Sequence, residues 1–505
     1  MAWERLICMY HIRYNMGCEA DRWAREWLEN KRANGETGLT VEKRGNIHIV
    51  RRQRLVTDAD TGRRKKESEY LGALSEDGTV RDPRPRRDRI EVESVTDEGT
   101  PRVLAKAAEG LLDPLSEAFP SDHPEIIELA FARCLDRGEL NHAGTAWKRM
   151  DDVLGLRPNT SPKSLSDVLG RIGRSRASQD MFFDLIGGDD RTFAVDMSVI
   201  FSRAKGATLC KKGYNRFCLS TTHVNLVMAC GLESGMPQYM NVVPGNMKEG
   251  CAETMLEELD IEEGTILVLD RGYCGDPFLK KVRENGLEYV VAAKRNSKAY
   301  DIARTEKERI FRWERSVVSY GKAQTGDGQW AYRFENMTQR NDELLDLLIA
   351  VENGRKKELN VDKAGNFLIL SSLDVEPRTI YRMYKTRCAI EERFDTAKNC
   401  LSADRTYMQD DEHITGHLFV SFVSLMIWMR ISEWIDSAGM SGRMTVKDVL
   451  DTYSVMKKVT VKGVTVTQIV PKDVAESDRM LDLYLFTEKR IPKKRGRKPK
   501  DPHID

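Results

Sequence analysis

The strongest constraint on the fold is an alternation of short apolar runs with amphipathic segments between residues 192 and 293. Apolar runs bounded by turn-forming residues predict strands, and they lie at 192–196, 224–230, 239–243, 264–270 and 288–293. Two segments with helical spacing lie between the later strands, at 252–259 and 277–285. The order β-β-β-α-β-α-β predicts an α/β fold, a mixed sheet with helices packed on it.

The rest of the chain divides into regions with different patterns. A chain of 505 residues exceeds the size at which single cores stop growing, so we expect about three domains. Residues 46–72 are typical of short strands around a turn, and 101–185 of several short helices, one beginning at Ser161. Residues 299–374 alternate less clearly and predict a β-rich insertion, with 311–320, 329–334 and 366–370 as strands. Residues 379–400 then predict one long helix, and 412–435 a buried one.

These patterns give six predicted regions. They are an N-terminal basic β-rich module (1–95), a helical region that could bind DNA or equally serve as a structural linker (96–188), the first part of the sheet domain (189–298), the β-rich insertion (299–374), the last part of the sheet domain with its acidic helix (375–440), and a C-terminal region with a basic tail (441–505).

The net charge of +1 hides an uneven distribution. Residues 43–90 hold 14 basic and 8 acidic residues, and residues 488–500 hold 8 basic and one acidic residue. The two basic segments therefore flank an acidic body. Such segments suit a polyanion, because neutralising phosphates and releasing counterions supplies non-specific affinity. On charge alone, solvated surface segments are an equal alternative.

Composition excludes several classes of protein. Hydrophobic residues make up 40% and charged residues 31% of the chain, which is typical of a globular protein. The longest apolar run, Leu418–Ile431, is too short to span a bilayer and carries Arg430. The first residues show no apolar signal segment, so we expect a cytoplasmic, nucleoid-associated protein that does not enter a membrane. His413 and His417 have helical spacing but no third ligand nearby in the sequence, so zinc is not favoured.

Two predicted strands each end on an aspartate, Asp196 and Asp270. Neighbouring strands would bring both carboxylates to one edge of the sheet, where open α/β sheets place their chemistry. A third acid from a packed helix would complete a site for two Mg²⁺ ions, because hard cations prefer carboxylate oxygens. Aspartates also follow strands simply because they begin turns, so the pair alone is a weak signal.

The predicted long helix carries the array Y-x2-R-x3-E-x6-K at Tyr384, Arg387, Glu391 and Lys398. Offsets of 3, 7 and 14 residues place the four side chains close to one helical face. An acid between cations suits a metal site beside phosphates. The alternative is a solvated helix face with ion pairs, and Glu392 and Asp395 are competing acids on the same helix.

Together these motifs resemble the DDE transposases of bacterial and archaeal insertion sequences that bear the YREK signature. The resemblance is carried by the Tyr-Arg-Glu-Lys array, by Asp196-Met-Ser within a strand and by Leu269-Asp-Arg-Gly-Tyr273 at the end of another. Pro244-Gly-Asn246 and Gly416-His417 also match, and the resemblance covers most of residues 45–435. The chain departs from the pattern at Met197, where the family often has Ser or Thr directly after the first Asp.

The resemblance implies an RNase H-like catalytic domain interrupted by the β-rich insertion, with Asp196, Asp270 and Glu391 as the metal-binding triad. It implies that Tyr384, Arg387 and Lys398 grip DNA near the cleavage site, and Arg271 in the second Asp motif is a further candidate contact. Two Mg²⁺ or Mn²⁺ ions would be the only cofactor.

The implied reaction is cut-and-paste transposition, in which a strand at the terminal inverted repeat is cleaved and its 3′-hydroxyl attacks target DNA. The expected partners are double-stranded DNA and a second copy of the chain. The resemblance further suggests a hairpin intermediate with a flipped base held by the insertion. Trp313 or Trp330 could hold it, although a core position is favoured for both.

The tail segment Lys493–Lys500 resembles an AT-hook, with Arg495 and Arg497 as minor-groove contacts, but a basic tail of non-specific affinity is favoured. Three rival functions stay open: a nuclease of the same fold that does not join strands, a relict DNA-binding protein, and a structural protein whose acids form surface ion pairs.

Overall fold

The computed structural model describes residues 20–57, 64–82, 92–136, 139–213, 215, 220–247, 261–304, 306–354, 361, 364–401, 405–461 and 463–489. The chain forms two compact units, Met1–Glu91 and Val92–Asp505.

Within its described residues, the first unit has one helix and a four-stranded antiparallel sheet. The helix α1 is Arg22–Ala33, and the strands are β1 Leu39–Arg44, β2 Ile47–Thr57, β3 Arg64–Leu74 and β4 Val80–Arg81, in that order across the sheet. A small core forms around Ala24, Leu39, Val50 and Leu74. The strands predicted within residues 46–72 are confirmed, whereas α1 was not predicted. The outer halves of β2 and β3 are exposed.

The second unit begins with strand β5 Val92–Asp97 and then a group of helices. These are α2 Gly99–Ala118, α3 His123–Cys134, α4 Leu140–Arg149, α5 Pro162–Arg174 and α6 Arg176–Ile186. The predicted start at Ser161 is confirmed, because its hydroxyl accepts a hydrogen bond from the Ser164 N–H and Pro162 lies in the first turn. This helical region forms one continuous core with the large sheet.

The large sheet of this unit has ten strands. Its members are β6 Thr192–Ser202, β7 His223–Gly231, β8 Pro237–Pro244, β9 Ile266–Leu269, β10 Glu288–Ala292, β11 Glu306–Trp313, β12 Ser316–Gln324, β13 Trp330–Asn336, β14 Asn366–Ser371 and β15 Arg405–Thr406. The order is β11-β12-β13-β14-β10-β9-β6-β7-β8, and β15 pairs with β6. Because β9 is parallel to β6 and β10 while the other long strands pair antiparallel, the predicted mixed sheet with flanking helices is confirmed.

Helices α7 Asp276–Glu284, α8 Ala299–Ile302 and α9 Met337–Glu352 connect these strands. The prediction for 277–285 is confirmed, and the helix predicted at 252–259 lies outside the described residues. Residues 299–374 add β11 to β14 to the same sheet, so their strands extend it and do not form a separate one. The apolar residues at 344–349 lie in α9, which has no buried residue, because this helix lies at the protein surface.

Two local predictions were wrong. Asp196 does not end its strand, because antiparallel pairing with β7 continues to Phe201. Residues 379–400 do not form one helix: α10 Pro377–Thr386 and α11 Cys388–Asp395 are separated at Arg387, and Thr396–Cys400 form a π-helical turn. Helical periodicity carries no signal for such a break when the residues on both sides favour helix.

The helix α12 Asp411–Ser437 is the centre of the helical core. It is long and apolar enough to cross a membrane, but 78% of its most apolar window is buried inside the protein, as in the core helix of a soluble protein. Its burial confirms the prediction for 412–435. Helix α13 Val446–Ser454, strands β16 Lys457–Val461 and β17 Val464–Thr467, and helix α14 Lys472–Met480 complete the described chain. β16 pairs with β17 and β5, which closes a three-stranded sheet.

One buried acid makes the stability of this unit depend on pH. Glu128 on α3 is fully buried, and neither of its carboxylate oxygens has a hydrogen-bond partner in the described part of the chain. Burial, with the nearby charge of Glu125, raises the pKa of Glu128 to about 7. Between pH 4.5 and 7 the unfolded chain releases this proton while the folded chain retains it, so stability falls as pH rises through that window.

A Glu128→Gln variant is therefore expected to be more stable than the wild type at pH 8, by up to about 3 kcal/mol, and similar to it at pH 4. Urea unfolding at the two pH values measures the difference. Glu117→Gln, an exposed acid on α2, is the matched control. Equal stability of Glu128→Gln and wild type at pH 8 would contradict the assignment of a costly buried charge.

Candidate active site

The sheet register brings Asp196 and Asp270 side by side. Strands β6 and β9 run parallel and pair Val195 with Leu269, so the next residue on each chain is an aspartate. Adjacent strands lie about 4.8 Å apart, which places the two residues as lateral neighbours. Asp270 comes directly after the end of β9, whereas Asp196 lies within β6. The predicted meeting of the two acids is confirmed, although only one of them is at a strand end.

Glu391 reaches the same place from helix α11, which packs against β6. The side chain that joins the three acids is Arg387, at the break between α10 and α11. Its Nη2 donates a hydrogen bond to Glu391 Oε1 at 3.0 Å. Its Nη1 lies 3.6 Å from Asp196 Oδ2, and its Nη2 lies 3.7 Å from Asp270 Oδ1. One guanidinium thus contacts all three predicted carboxylates.

Burial is unequal among these groups. The Arg387 side chain is 7% exposed and that of Asp196 is 22% exposed, whereas Asp270 and Glu391 are about half exposed. The site therefore has a buried wall formed by β6 and an open side formed by the other two acids. Nε and Nη1 of Arg387 have no hydrogen-bond partner among the described residues. The guanidinium thus retains donor capacity inside the site.

Electrostatics follow from this arrangement. Burial raises the pKa of Asp196 to about 6, and the charges of Asp270 and Glu391 add to it, while the Met197 N–H and Arg387 act in the opposite direction. For Arg387, burial opposes the charged form, but the nearby Asp270, Tyr384, Asp196 and Glu391 outweigh it and raise the pKa. Three carboxylates held this closely repel one another when ionised, so a cation between them is needed to stabilise their negative charge.

The donor set suits a divalent cation. All three groups offer carboxylate oxygens, which are the ligands that Mg²⁺ and Mn²⁺ prefer. The pKa of Asp196 is elevated by its burial first and by the charges of Asp270 and Glu391 second, and a bound cation would stabilise the ionised carboxylate. Across the part of the chain that the structure describes, no three acidic, histidine or cysteine side chains are arranged to hold one ion directly. The three acids instead surround Arg387. Its guanidinium would have to move away before the acids could coordinate a metal ion together.

The other predicted DNA contacts lie at different depths. Tyr384 is half-buried, with its ring 5.4 Å from the Arg387 guanidinium and stacked on Phe367 at 6.1 Å. Arg271 is exposed directly after Asp270. Lys398 is half-buried in the π-helical turn. Arg495 and Arg497 lie outside the described residues.

The two tryptophans considered for a flipped base pack against the sheet. Trp313 lies 5.2 Å from Tyr381, edge to face, and Trp330 lies beneath Lys322 Nζ at 4.5 Å. Both are partly buried against one apolar cluster, which agrees with the favoured core position. The two histidines do not share a ligand position: His413 contacts Asp410 at 2.7 Å, whereas His417 is half-buried beside Arg133.

Two features of the site were not predicted. The first is the central position of Arg387, for which the i, i+4 spacing to Glu391 was an available signal. The second is support from the helical region, where buried Arg133 on α3 donates from Nη1 to the Leu401 carbonyl at 3.2 Å and from Nη2 to His417 Nδ1 at 3.2 Å. Leu401 directly follows the π-helical turn, so α3 buttresses the segment that carries Lys398. Sequence spacing gave no signal for this contact, because 268 residues separate the partners.

Comparison with known proteins supports one class. Residues 192–427 match the family described as the transposase DDE domain. The matched range contains β6 with Asp196, Asp270 and the helices that carry Arg387 and Glu391. The match supports a DDE transposase, an enzyme that cuts and joins DNA.

Other comparisons add little. No curated protein matches this chain. Among solved structures, a cryo-EM structure of a piggyBac transposase synaptic complex with hairpin DNA aligns with 10% sequence identity and a TM-score of 0.41, covering 78% of this chain and 86% of that one. A likeness at this level carries no argument about this protein.

Proposed function

We propose that this protein is the transposase of an insertion sequence of the YREK-bearing type, with an RNase H-like catalytic domain and Asp196, Asp270 and Glu391 as its catalytic carboxylates. The observation that carries the proposal is the convergence of these three acids on one guanidinium, beside the end of β9 in a sheet whose residues match the transposase DDE domain. A structural role for the acids is disfavoured, because surface ion pairs need neither a shared site nor a buried aspartate.

The three carboxylates would hold two Mg²⁺ or Mn²⁺ ions, which when bound activate the attacking water or 3′-hydroxyl and stabilise the leaving oxygen. The chain's own part is to hold the donors in place. The Met197 N–H fixes Asp196 by donating to Oδ1 at 2.8 Å, and β6 shields this carboxylate from solvent. Asp270 and Glu391 stay accessible from the open side of the site.

Positively charged and aromatic residues around the acids would hold the DNA. Arg387 would contact phosphate oxygens once its buried guanidinium moved away from the acids, and the ring of Tyr384 lies 5.4 Å from this guanidinium. Arg271 directly follows Asp270, and Lys398 lies seven positions after Glu391, so both would add contacts beside the acids. The exposed basic strands β2 and β3, the helical region and the tail at 488–500 would add non-specific affinity for double-stranded DNA. A second copy of the chain would hold the second transposon end.

The direct test uses a duplex that spans one end of the protein's own element, found as inverted repeats flanking its gene. We expect the purified protein to cut at the element boundary with Mg²⁺ or Mn²⁺, to be inactive in EDTA, and then to join the cut end to a second DNA. Cutting without joining would indicate a nuclease of the same fold. Binding without any metal-dependent cutting would indicate a relict DNA-binding protein and overturn the proposal.

A further inference from the structure

Strands β2 and β3 form a two-stranded ribbon that extends beyond the rest of the sheet in the first unit. Among the described residues, β1 pairs with β2 only as far as Arg52, and β4 pairs with β3 only at Ala73 and Leu74. Beyond these points residues 53–57 pair with residues 64–68, and all of them are exposed. An isolated pair of strands is at best marginally stable in water, so a partner that covers this ribbon would stabilise it.

The strand register sorts the side chains of the ribbon onto two faces. Successive side chains of a strand point to opposite faces, and directly opposite residues of paired strands share a face. Arg52 donates to the Glu36 carboxylate at 3.4 Å, and Glu36 follows α1, so the face of Arg52 is the side of the helix. The opposite side, which we call the outer face, comprises Arg51, Gln53 and Leu55 of β2 and their partners Tyr70, Ser68 and Lys66 of β3.

Charge is distributed unequally between the two faces. Both acids of the described ribbon, Glu67 and Glu69, lie on the side of the helix, each directly opposite an arginine. The outer face carries one arginine and one lysine, and each of its other polar side chains can donate a hydrogen bond. Glu42, which faces the same side from β1, is paired with Arg44 at 3.3 Å. Residues 58–63, which join the two strands and include two aspartates, lie outside the described residues. The outer face therefore suits a negatively charged surface that offers hydrogen-bond acceptors.

The dimensions of the ribbon match the major groove of DNA. Its strands lie about 4.8 Å apart, and the major groove is about 12 Å wide and admits a two-stranded β-ribbon. Residues 51–57 span roughly 20 Å, which corresponds to about six base pairs at about 3.4 Å per step.

The side chains of the outer face also match base edges. In the major groove glutamine pairs with adenine, arginine or lysine with guanine, and an apolar side chain contacts the thymine methyl group. Gln53 and Lys66 are exposed, and Leu55 is 67% exposed. Exposing a leucine to water costs free energy that contact with a thymine methyl group would recover. A cationic surface that bound only phosphates would need neither Gln53 nor Leu55.

We propose that the outer face of this ribbon lies in the major groove of the terminal inverted repeat and contacts base edges there, so that the first unit selects the DNA sequence. The inference rests on the proposed function, because it takes the inverted repeat as the DNA that is bound. It goes beyond non-specific affinity by assigning sequence recognition to one face of the ribbon, with Gln53 and Leu55 contacting bases and the cations holding the ribbon in the groove.

Substituted duplexes test the proposal with the full-length protein in EDTA. Affinity is measured for the inverted-repeat duplex and for a scrambled duplex of the same composition. We expect Gln53→Ala to reduce the preference for the repeat about five- to a hundredfold and to bind the scrambled duplex within about twofold of wild type, which shows that the variant is folded. Arg54→Ala, the next residue on the other face, is the control and should leave this preference unchanged.

Base analogues identify the contacted atoms. Each purine of the repeat is replaced singly by its 7-deaza analogue, which removes the N7 acceptor from the major groove and retains base pairing. We expect one replacement to weaken binding by the wild type and to have no further effect on Gln53→Ala. Each thymine is likewise replaced by uracil, which lacks the methyl group, and one such replacement should affect the wild type but not Leu55→Ala. Val56→Ala, on the side of the helix, should respond like the wild type.

The outcomes separate the ribbon from the proposed function. If the wild type prefers the repeat and both Gln53→Ala and Leu55→Ala keep the full preference, other residues select the sequence, and the ribbon assignment is overturned while the transposase proposal stands. Cutting of the repeat by a wild type that binds both duplexes equally would also overturn the assignment and leave the ribbon a non-specific contact. If the wild type neither binds nor cuts the repeat, both proposals are overturned.

Discussion

Replacing Glu391 by Gln is expected to reduce metal-dependent DNA cleavage by about 10²–10³-fold or more, while DNA affinity changes little. The amide keeps the shape of the side chain and can still accept a hydrogen bond from Arg387, but it removes the negative charge that a divalent ion requires. Glu391 is about half exposed on α11, so the substitution should not unfold the protein. Single-turnover cleavage of the inverted-repeat duplex and a binding titration in EDTA measure the two effects.

Asp395→Asn provides the matched control. Asp395 is an exposed acid on the same helix, one turn after Glu391, and was a competing candidate from sequence alone. We expect it to cleave at nearly the wild-type rate. If Asp395→Asn abolished cleavage and Glu391→Gln did not, the third carboxylate would be misassigned.

Replacing Arg387 by Gln is expected to lower the free energy of unfolding in EDTA by about 2–3 kcal/mol. Among the described residues, the Arg387 guanidinium is the cation that contacts all three acids, and its removal leaves Asp196 buried beside Asp270 and Glu391 without this compensation. This loss of stability should be smaller than is usual when one partner of a buried ion pair is removed, because Asp270 and Glu391 are about half exposed and water screens their charges.

Divalent ions should restore part of this stability. With the guanidinium gone, the three carboxylates are free to share a cation, so Mg²⁺ or Mn²⁺ should stabilise Arg387→Gln more than it stabilises the wild type. Denaturant unfolding in EDTA and with each ion measures both. Arg271→Gln, exposed beside Asp270, is the control and should behave like the wild type. An Arg387→Gln protein as stable as wild type in EDTA would contradict the counter-ion role of Arg387.

Sequence patterns predicted the elements that carry the site because those elements obey local rules. Asp196 and Asp270 each follow an apolar, β-branched run, and neighbouring parallel strands bring such residues together at one edge. Helical spacing put Glu391 on one face with Tyr384 and Arg387 but left Glu392 and Asp395 as alternatives, and the resemblance selected Glu391. The RNase H-like character of the catalytic domain and the roles of the DNA-contact residues were inferred from the family resemblance, and they remain predictions.

What sequence patterns missed depends on long-range packing. The continuation of β6 past Asp196 follows from its pairing with β7, whose partner residues begin at His223. The break at Arg387 lets the guanidinium turn towards β6 and β9, and helical periodicity cannot indicate it. The strands of residues 299–374 join the sheet because β14 pairs with β10, although more than 70 positions separate them. Nothing local in the sequence encodes these pairings.

The central claim is that the three acids bind the catalytic metal ions, and the most direct measurement is the metal preference of an Asp270→Cys variant. A thiolate is a soft ligand that suits Mg²⁺ poorly and the softer Mn²⁺ better, so the ion that supports cleavage reports contact between residue 270 and the metal. Asp270 is half exposed and follows its strand, so the substitution leaves the sheet intact. We predict that Asp270→Cys loses cleavage in Mg²⁺ and recovers a substantial fraction in Mn²⁺. Equal loss in both ions, or equal retention in both, would contradict metal binding by this residue.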